Sequence, residues 1–146
     1  MKKHTFLLTL IAMFSSCNQS GVSKSSESNT SIEDKIVGTF TTGGVTRTFR
    51  LDNTVESESP YGTDTYIWKV IEENPQFIKI EETQGNSKAI FYLYENSTKY
   101  PNKISNCIKN SGSSVMKNYT GEILISEYAL ESSDGCDGLY FKGNIE

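Results

Sequence analysis

The chain has 146 residues, a formal net charge of −4 at pH 7 and a pI of about 5.1. An acidic chain lacks the basic footprint that nucleic acid or an anionic lipid surface requires, so neither is an expected electrostatic partner. Its only histidine is His4, and its three cysteines are Cys17, Cys107 and Cys136.

The first seventeen residues have the three parts of a secretory leader. Lys2 and Lys3 precede an apolar run over 6–14, and two serines precede Cys17. The run is too short for a membrane span, which needs about 20 residues. The segment Phe14-Ser15-Ser16-Cys17 resembles the lipobox of bacterial lipoproteins, with Phe14 in place of the usual Leu. This resemblance implies cleavage after residue 16, acylation of Cys17 and an anchor in the cell envelope, most simply in the outer membrane.

Removal of residues 1–16 would leave 130 residues with no histidine and a net charge near −6. The loss of His4 excludes Ser-His-Asp and Cys-His catalysis and any metal site ligated by histidine. We therefore expect a protein that is not an enzyme and that holds no metal or cofactor.

A tether and a short helix are predicted next. Residues 17–31 are mostly Ser, Asn, Gln and Gly after the cysteine, a composition typical of a flexible linker between an anchor and a domain. Ser31 can cap a helix whose first turn contains Glu33 and Asp34 and whose apolar face contains Ile32 and Ile36. The folded domain is therefore expected to cover 32–146.

From residue 37 onward, short alternating segments separated by turn residues predict strands. Gly43-Gly44 suits a two-residue hairpin turn, and Pro60 lies in a second turn. The segment 87–94 is nearly all apolar or aromatic, which predicts a strand buried on both faces. The predicted strands cover 37–42, 45–51, 54–59, 64–71, 77–83, 87–94, 104–109, 121–130 and 138–145.

This pattern predicts an all-β domain of about eight strands, with no helix of ordinary length. Strands spaced about ten residues apart indicate a barrel or a sandwich. Short connections favour an antiparallel up-and-down meander, and closure into a barrel would remove exposed strand edges.

Cys107 and Cys136 form an even pair once Cys17 is acylated. In an exported, oxidising compartment such a pair indicates a disulfide. Two unpaired buried thiols are the alternative.

Three segments are similar to lipocalins. The helix that enters a strand through Gly38-Thr39-Phe40 looks like their G-x-W opening, with Phe40 in place of Trp. The hairpin over 48–55 and the strand over 62–70 are similar to those of small lipocalin-like lipoproteins of Gram-negative bacteria. The sequence shows no counterpart of the Arg with which lipocalins cover that Trp near the end of the barrel. The resemblance, over 32–94, implies a lipocalin-like barrel.

Aromatic side chains on the predicted strands are the candidate ligand-binding residues, although a core that fills the barrel is the favoured interpretation of them. They are Phe49, Tyr66, Trp68, Phe91, Tyr92 and Tyr94. The acidic pairs could suggest a two-carboxylate glycosidase, but neighbouring strand residues face opposite ways, which favours solvated charge. These pairs are Glu56 with Glu58, Glu72 with Glu73, and Glu81 with Glu82.

The favoured function is non-covalent binding of a small apolar ligand by an envelope lipoprotein. One alternative is binding or inhibition of a protein, of the lysozyme-inhibitor type, through the predicted loops 95–103 or 110–117. A second is glycan binding at the surface through exposed aromatic side chains.

Overall fold

A computed structural model describes residues 31–132 and 136–143. The predicted leader, Cys17 and nearly all of the predicted tether lie outside these residues. Eight strands form one closed antiparallel barrel in which each strand pairs with its sequence neighbours and the last pairs with the first. The strands are β1 (Gly38–Thr42), β2 (Val45–Phe49), β3 (Thr54–Ser59), β4 (Gly62–Glu73), β5 (Ile78–Gln84), β6 (Ser87–Tyr94), β7 (Ile123–Ser126) and β8 (Leu139–Lys142). The predicted all-β up-and-down barrel is confirmed.

One end of the barrel is covered by a short helix, α1 (Ile32–Ile36). Ser31 and Asp34 form a capping box, each side chain accepting a hydrogen bond from the other's backbone N–H at 3.2 Å. Ile36 is fully buried among the apolar residues inside the barrel, and Ile32 packs against them. The predicted capped helix is confirmed.

The predicted glycine hairpin is also confirmed. Gly43-Gly44 joins β1 to β2, and Gly44 has a φ of 99°, which an L side chain rarely adopts. The turn places Phe40 opposite Arg47 and Gly38 opposite Phe49 in the register of the two strands. It therefore decides which β2 residues face the interior.

A layer of short helices covers the outer face of β6, β7 and β8. It contains a 3-10 turn (Ser97–Lys99), α2 (Asn102–Asn110), α3 (Ser114–Lys117) and α4 (Glu127–Glu131). Apolar side chains of this layer pack on outward-facing residues of the three strands. This outer core contains Ile104, Ile108, Ile123, Ile125, Ala129, Leu139 and Phe141.

Two predicted strands are wrong in this region. The strand predicted over 104–109 is the helix α2, because Ile104, Cys107 and Ile108 share one helical face. The strand predicted over 121–130 ends at Ser126, whose hydroxyl caps α4 by accepting a hydrogen bond from Ala129 N–H at 3.3 Å. The expectation that the chain has no helix of ordinary length is corrected by the nine residues of α2.

The predicted disulfide is confirmed. Cys107 on α2 is bonded to Cys136, just before β8, with their Cα atoms 5.5 Å apart. The bridge therefore ties the helical layer to the strand that closes the barrel.

Candidate functional site

The closed end of the barrel interior is filled by aromatic rings. Phe40 packs edge to face on Phe49 at 5.7 Å between ring centroids, and Phe49 packs on Trp68 at 5.9 Å. All three are at most 3% exposed, and the indole N–H of Trp68 donates to the carbonyl oxygen of Arg50 at 3.2 Å. Rings that contact one another this closely leave no room for a ligand between them.

Arg47 and Glu82 form an ion pair inside the barrel. Both side chains point inward, Arg47 from β2 and Glu82 from β5, and the guanidinium donates to Glu82 Oε2. The exposed fraction is 12% for the Arg47 side chain and zero for Glu82. The sequence expectation of solvated charge is therefore wrong for Glu82. Alternation along β5 explains the burial, because Glu82 shares a face with Ile78 and Ile80.

Three aromatic rings surround this guanidinium. Its carbon lies 4.6 Å from the ring centre of Phe91, 5.4 Å from Tyr140 and 5.6 Å from Tyr66. These distances are within the range of cation–π attraction. Arg47 thus fills the space between predicted ligand residues with a side chain of the protein itself.

The pair retains two unsatisfied atoms. Arg47 Nε and Glu82 Oε1 are buried and have no hydrogen-bond partner among residues 31–132 and 136–143. Burial raises the pKa of the Glu82 carboxyl above its ordinary value, and the opposing attraction of Arg47 does not offset it. Desolvation is thus the largest influence on the pKa of this carboxyl, and the charge and hydrogen bond of Arg47 oppose it.

The predicted ligand residues do not form one group. Phe49, Tyr66, Trp68 and Phe91 belong to the barrel interior. Tyr92 and Tyr94 lie on the outer face of β6, under the helical layer. Tyr92 donates a hydrogen bond to Glu127 Oε1 at 2.9 Å, and its ring packs on Phe77 at 4.9 Å. Burial raises the pKa of Tyr94 to about 12.

A lysine covers the ring of Phe40 at the closed end. Lys142 Nζ lies 5.6 Å from the ring centre and donates to the carbonyl oxygen of Lys35 at 2.9 Å, at the end of α1. It also approaches Glu122 Oε1 at 3.5 Å. Lys142 on β8 therefore links the Phe40 ring to the end of α1.

An apolar cleft of about 490 Å³ lies outside the barrel, between α2 and the outer face of β8. Its apolar surface comes from Ile108, Met116, Leu139 and Phe141, and the Cys107–Cys136 disulfide borders it. Polar side chains at the cleft are Thr42, Lys103, Asn106, Asn110 and Ser111. We refer to this site as the disulfide cleft.

A second cleft, of about 400 Å³, adjoins α2, α3 and the segment that follows α3. Its polar residues include two lysines, three hydroxyl side chains and one amide, and no acidic residue lines it. These polar residues are Ser97, Ser105, Lys109, Lys117, Asn118 and Thr120. We refer to this site as the lysine cleft.

Sequence reasoning missed both clefts and the interior ion pair. Arg47 lies on the same strand face as Phe49, so a cation among apolar residues was a usable signal for burial. The clefts gave no comparable signal, because they depend on helices that were predicted as a strand and loops.

Comparison with known proteins gives no relative for this chain. No protein-family model matches it, and neither the curated proteins nor the solved structures contain a significant match. Within 31–132 and 136–143, no cluster of three or more histidine, cysteine or acidic side chains is arranged to hold a metal ion. No helix in the same ranges has the length and hydropathy of a membrane span.

Proposed function

We propose that the chain is an envelope lipoprotein, acylated at Cys17, whose domain over 32–146 binds a small apolar molecule without catalysing a reaction. The order of basic, apolar and small residues before Cys17 supports lipid attachment. The absence of histidine beyond His4 supports binding rather than acid–base or nucleophilic catalysis.

The disulfide cleft is the observation on which the ligand proposal rests. Its volume of about 490 Å³ lies within the range of small-molecule sites, about 300–1,000 Å³. An apolar surface bordered by a few polar side chains is the usual composition of such sites. The barrel interior, where four of the six candidate ligand residues lie, is occupied by its own rings and by Arg47.

The disulfide beside the cleft favours a site that is already formed in the absence of ligand. The disulfide fixes α2 beside β8, and Lys103 on α2 donates to the carbonyl oxygen of Leu130 on α4 at 3.5 Å. A preformed site loses less conformational entropy when it binds. Ile108 and Phe141 supply buried apolar surface, and Asn106 stands at its edge.

Filling the disulfide cleft should abolish binding of an apolar probe. Asn106 is exposed and lines the cleft, so Asn106→Trp should occupy it without disturbing the core. Asn102→Trp, on an exposed position of α2 outside the cleft, is the matched control. The readout is fluorescence of N-phenyl-1-naphthylamine with residues 17–146 bearing Cys17→Ser, which lack both the acyl chains and the apolar leader. Equal binding by both tryptophan variants would refute the assignment.

Lipid attachment has a separate test. Replacing Cys17 by Ser should move the protein from the membrane fraction to the soluble fraction of its own host, because acyl chains supply the proposed anchor. Ser23→Ala, a conservative change in the predicted tether that leaves Cys17 and the Cys107–Cys136 disulfide in place, is the control. If the Cys17→Ser protein still sediments with membranes after its leader has been removed, the lipoprotein assignment is wrong.

A further inference from the structure

The lysines without ion-pair partners are concentrated in the helical layer. Residues 31–132 and 136–143 contain eleven lysines and arginines, and eight of them form ion pairs. The remaining three are Lys103, Lys109 and Lys117, all on α2 or α3. Two of them, Lys109 and Lys117, are exposed and line the lysine cleft.

The segment that builds this cleft has the opposite charge from the barrel. Residues 95–122, between β6 and β7, contain four lysines and two glutamates, whereas 31–94 contain six basic and ten acidic residues. A local positive potential on an acidic protein attracts small anions and repels cations. Both glutamates already have lysine partners: Glu95 pairs with Lys35 and Lys99, and Glu122 pairs with Lys142. Neither forms an ion pair with Lys109 or Lys117.

The uncharged surface of the cleft suits a hydroxylated ring. Tyr100 donates its hydroxyl to the carbonyl oxygen of Gly121, and Tyr119 donates to that of Glu122 at 2.6 Å. Their polar ends are thus engaged within the protein, while their rings, with Ile108, contribute apolar surface to the cleft. The side chains of Ser97, Ser105, Asn118 and Thr120 offer hydrogen-bonding groups around it.

We propose that the lysine cleft binds an acidic sugar, a hydroxylated ring that bears one carboxylate. Lys109 and Lys117 would pair with the carboxylate, and the hydroxyl and amide side chains would bind the sugar hydroxyls. The apolar surface would contact the C–H face of the ring. An apolar ligand would leave both lysines facing hydrocarbon, and a bare inorganic anion would leave the tyrosine rings without a partner. This site is separate from the disulfide cleft.

The test compares glucuronate with glucose, which differ only in the carboxylate that replaces the C6 hydroxymethyl group. Backbone amide NMR of the full chain bearing Cys17→Ser would follow titration with each sugar. We expect glucuronate to shift signals within 97–120 and to bind at least tenfold more tightly than glucose. A glucuronate-terminated oligosaccharide serves as a second ligand, and tighter binding of it than of the free sugar would identify a glycan as the source.

Exposed lysines provide matched variants. Lys109→Gln and Lys117→Gln should each weaken glucuronate binding on the order of tenfold, because each removes one charge-assisted hydrogen bond. Lys88→Gln, at an exposed lysine on β6, should leave binding unchanged.

Three results would overturn the proposal. They are no binding of glucuronate, equal binding of glucose, and equal weakening by Lys88→Gln. Sulfate binding as tightly as glucuronate would reduce the site to a general anion site and would also overturn it. Asn106→Trp should leave glucuronate binding intact, so failure of the apolar-ligand proposal would be distinguishable from failure here.

Discussion

Replacing Arg47 by Met should lower the free energy of unfolding by about 3–5 kcal/mol, because the change leaves Glu82 as a buried charge without a partner. The methionine retains much of the packing against Phe91 and Tyr140 but removes the guanidinium. Urea denaturation at pH 7 measures this loss. Lys69→Met removes a partner of Glu81 from an exposed ion pair and should cost less than about 1 kcal/mol.

The double variant Arg47→Met with Glu82→Leu gives the opposite expectation. It removes both charges and both unsatisfied atoms, Arg47 Nε and Glu82 Oε1, so its stability should return to that of the wild type or exceed it. The raised pKa of Glu82 points the same way. If the double variant is as unstable as Arg47→Met alone, the loss of stability comes from lost packing of the two side chains. It then does not come from the unpaired charge of Glu82.

Removing the disulfide should be the second large loss. The double replacement of Cys107 and Cys136 by Ser opens a loop with a sequence separation of 29 residues, and the chain-entropy model gives about 3–4 kcal/mol for a loop of this size. The loop includes β7, which pairs with β6 and β8, so the effect should reach the barrel rather than α2 alone. Urea unfolding with and without a reductant measures it.

The reductant supplies the control for this second prediction. The wild type under reducing conditions should lose as much stability as the serine variant, and the variant should not respond to reductant. If the serine variant is as stable as the wild type, the predicted loss of stability is wrong. In that case α2 would be held by Ile104 and Ile108 in the outer core without help from the covalent bond.

The barrel could be predicted because its first six strands have clear local signals. Period-two alternation places Phe49, Trp68 and Ile80 inward, and the glycine turn fixes the register of β1 and β2. These signals depend only on neighbouring residues, so they can be read without knowledge of the fold.

The helical layer could not be predicted in the same way. Ile104 and Ile108 share a face in either a strand or a helix, and only Cys107 favours the helical spacing. At Ser126 the chain changes from strand to helix within one residue, and a strand that long was equally compatible with the local residues. Neither the disulfide cleft nor the lysine cleft could be predicted without α2, because both clefts lie against this helix.

The interior ion pair was missed for a different reason. Arg47 and Glu82 are 35 residues apart, and nothing local to either identifies the other as its partner. Alternation alone predicts that both point inward, but a buried charge is costly enough that solvent exposure was the default expectation. Only the closed sheet shows that β2 and β5 bring the two side chains together.

The pairing of β1 with β8 also sets the order in which the chain can fold. Phe40 and Lys142, which lie opposite each other in these strands, are separated by most of the domain, and Lys142 binds the end of α1. Until residues 139–142 are available, the other strands form an open sheet with β1 and β7 unpaired at its edges. Closure of the barrel requires contacts between residues that are far apart in the sequence, and such contacts slow folding. Until closure, β1 and β7 present unpaired backbone groups through which two partly folded chains can associate.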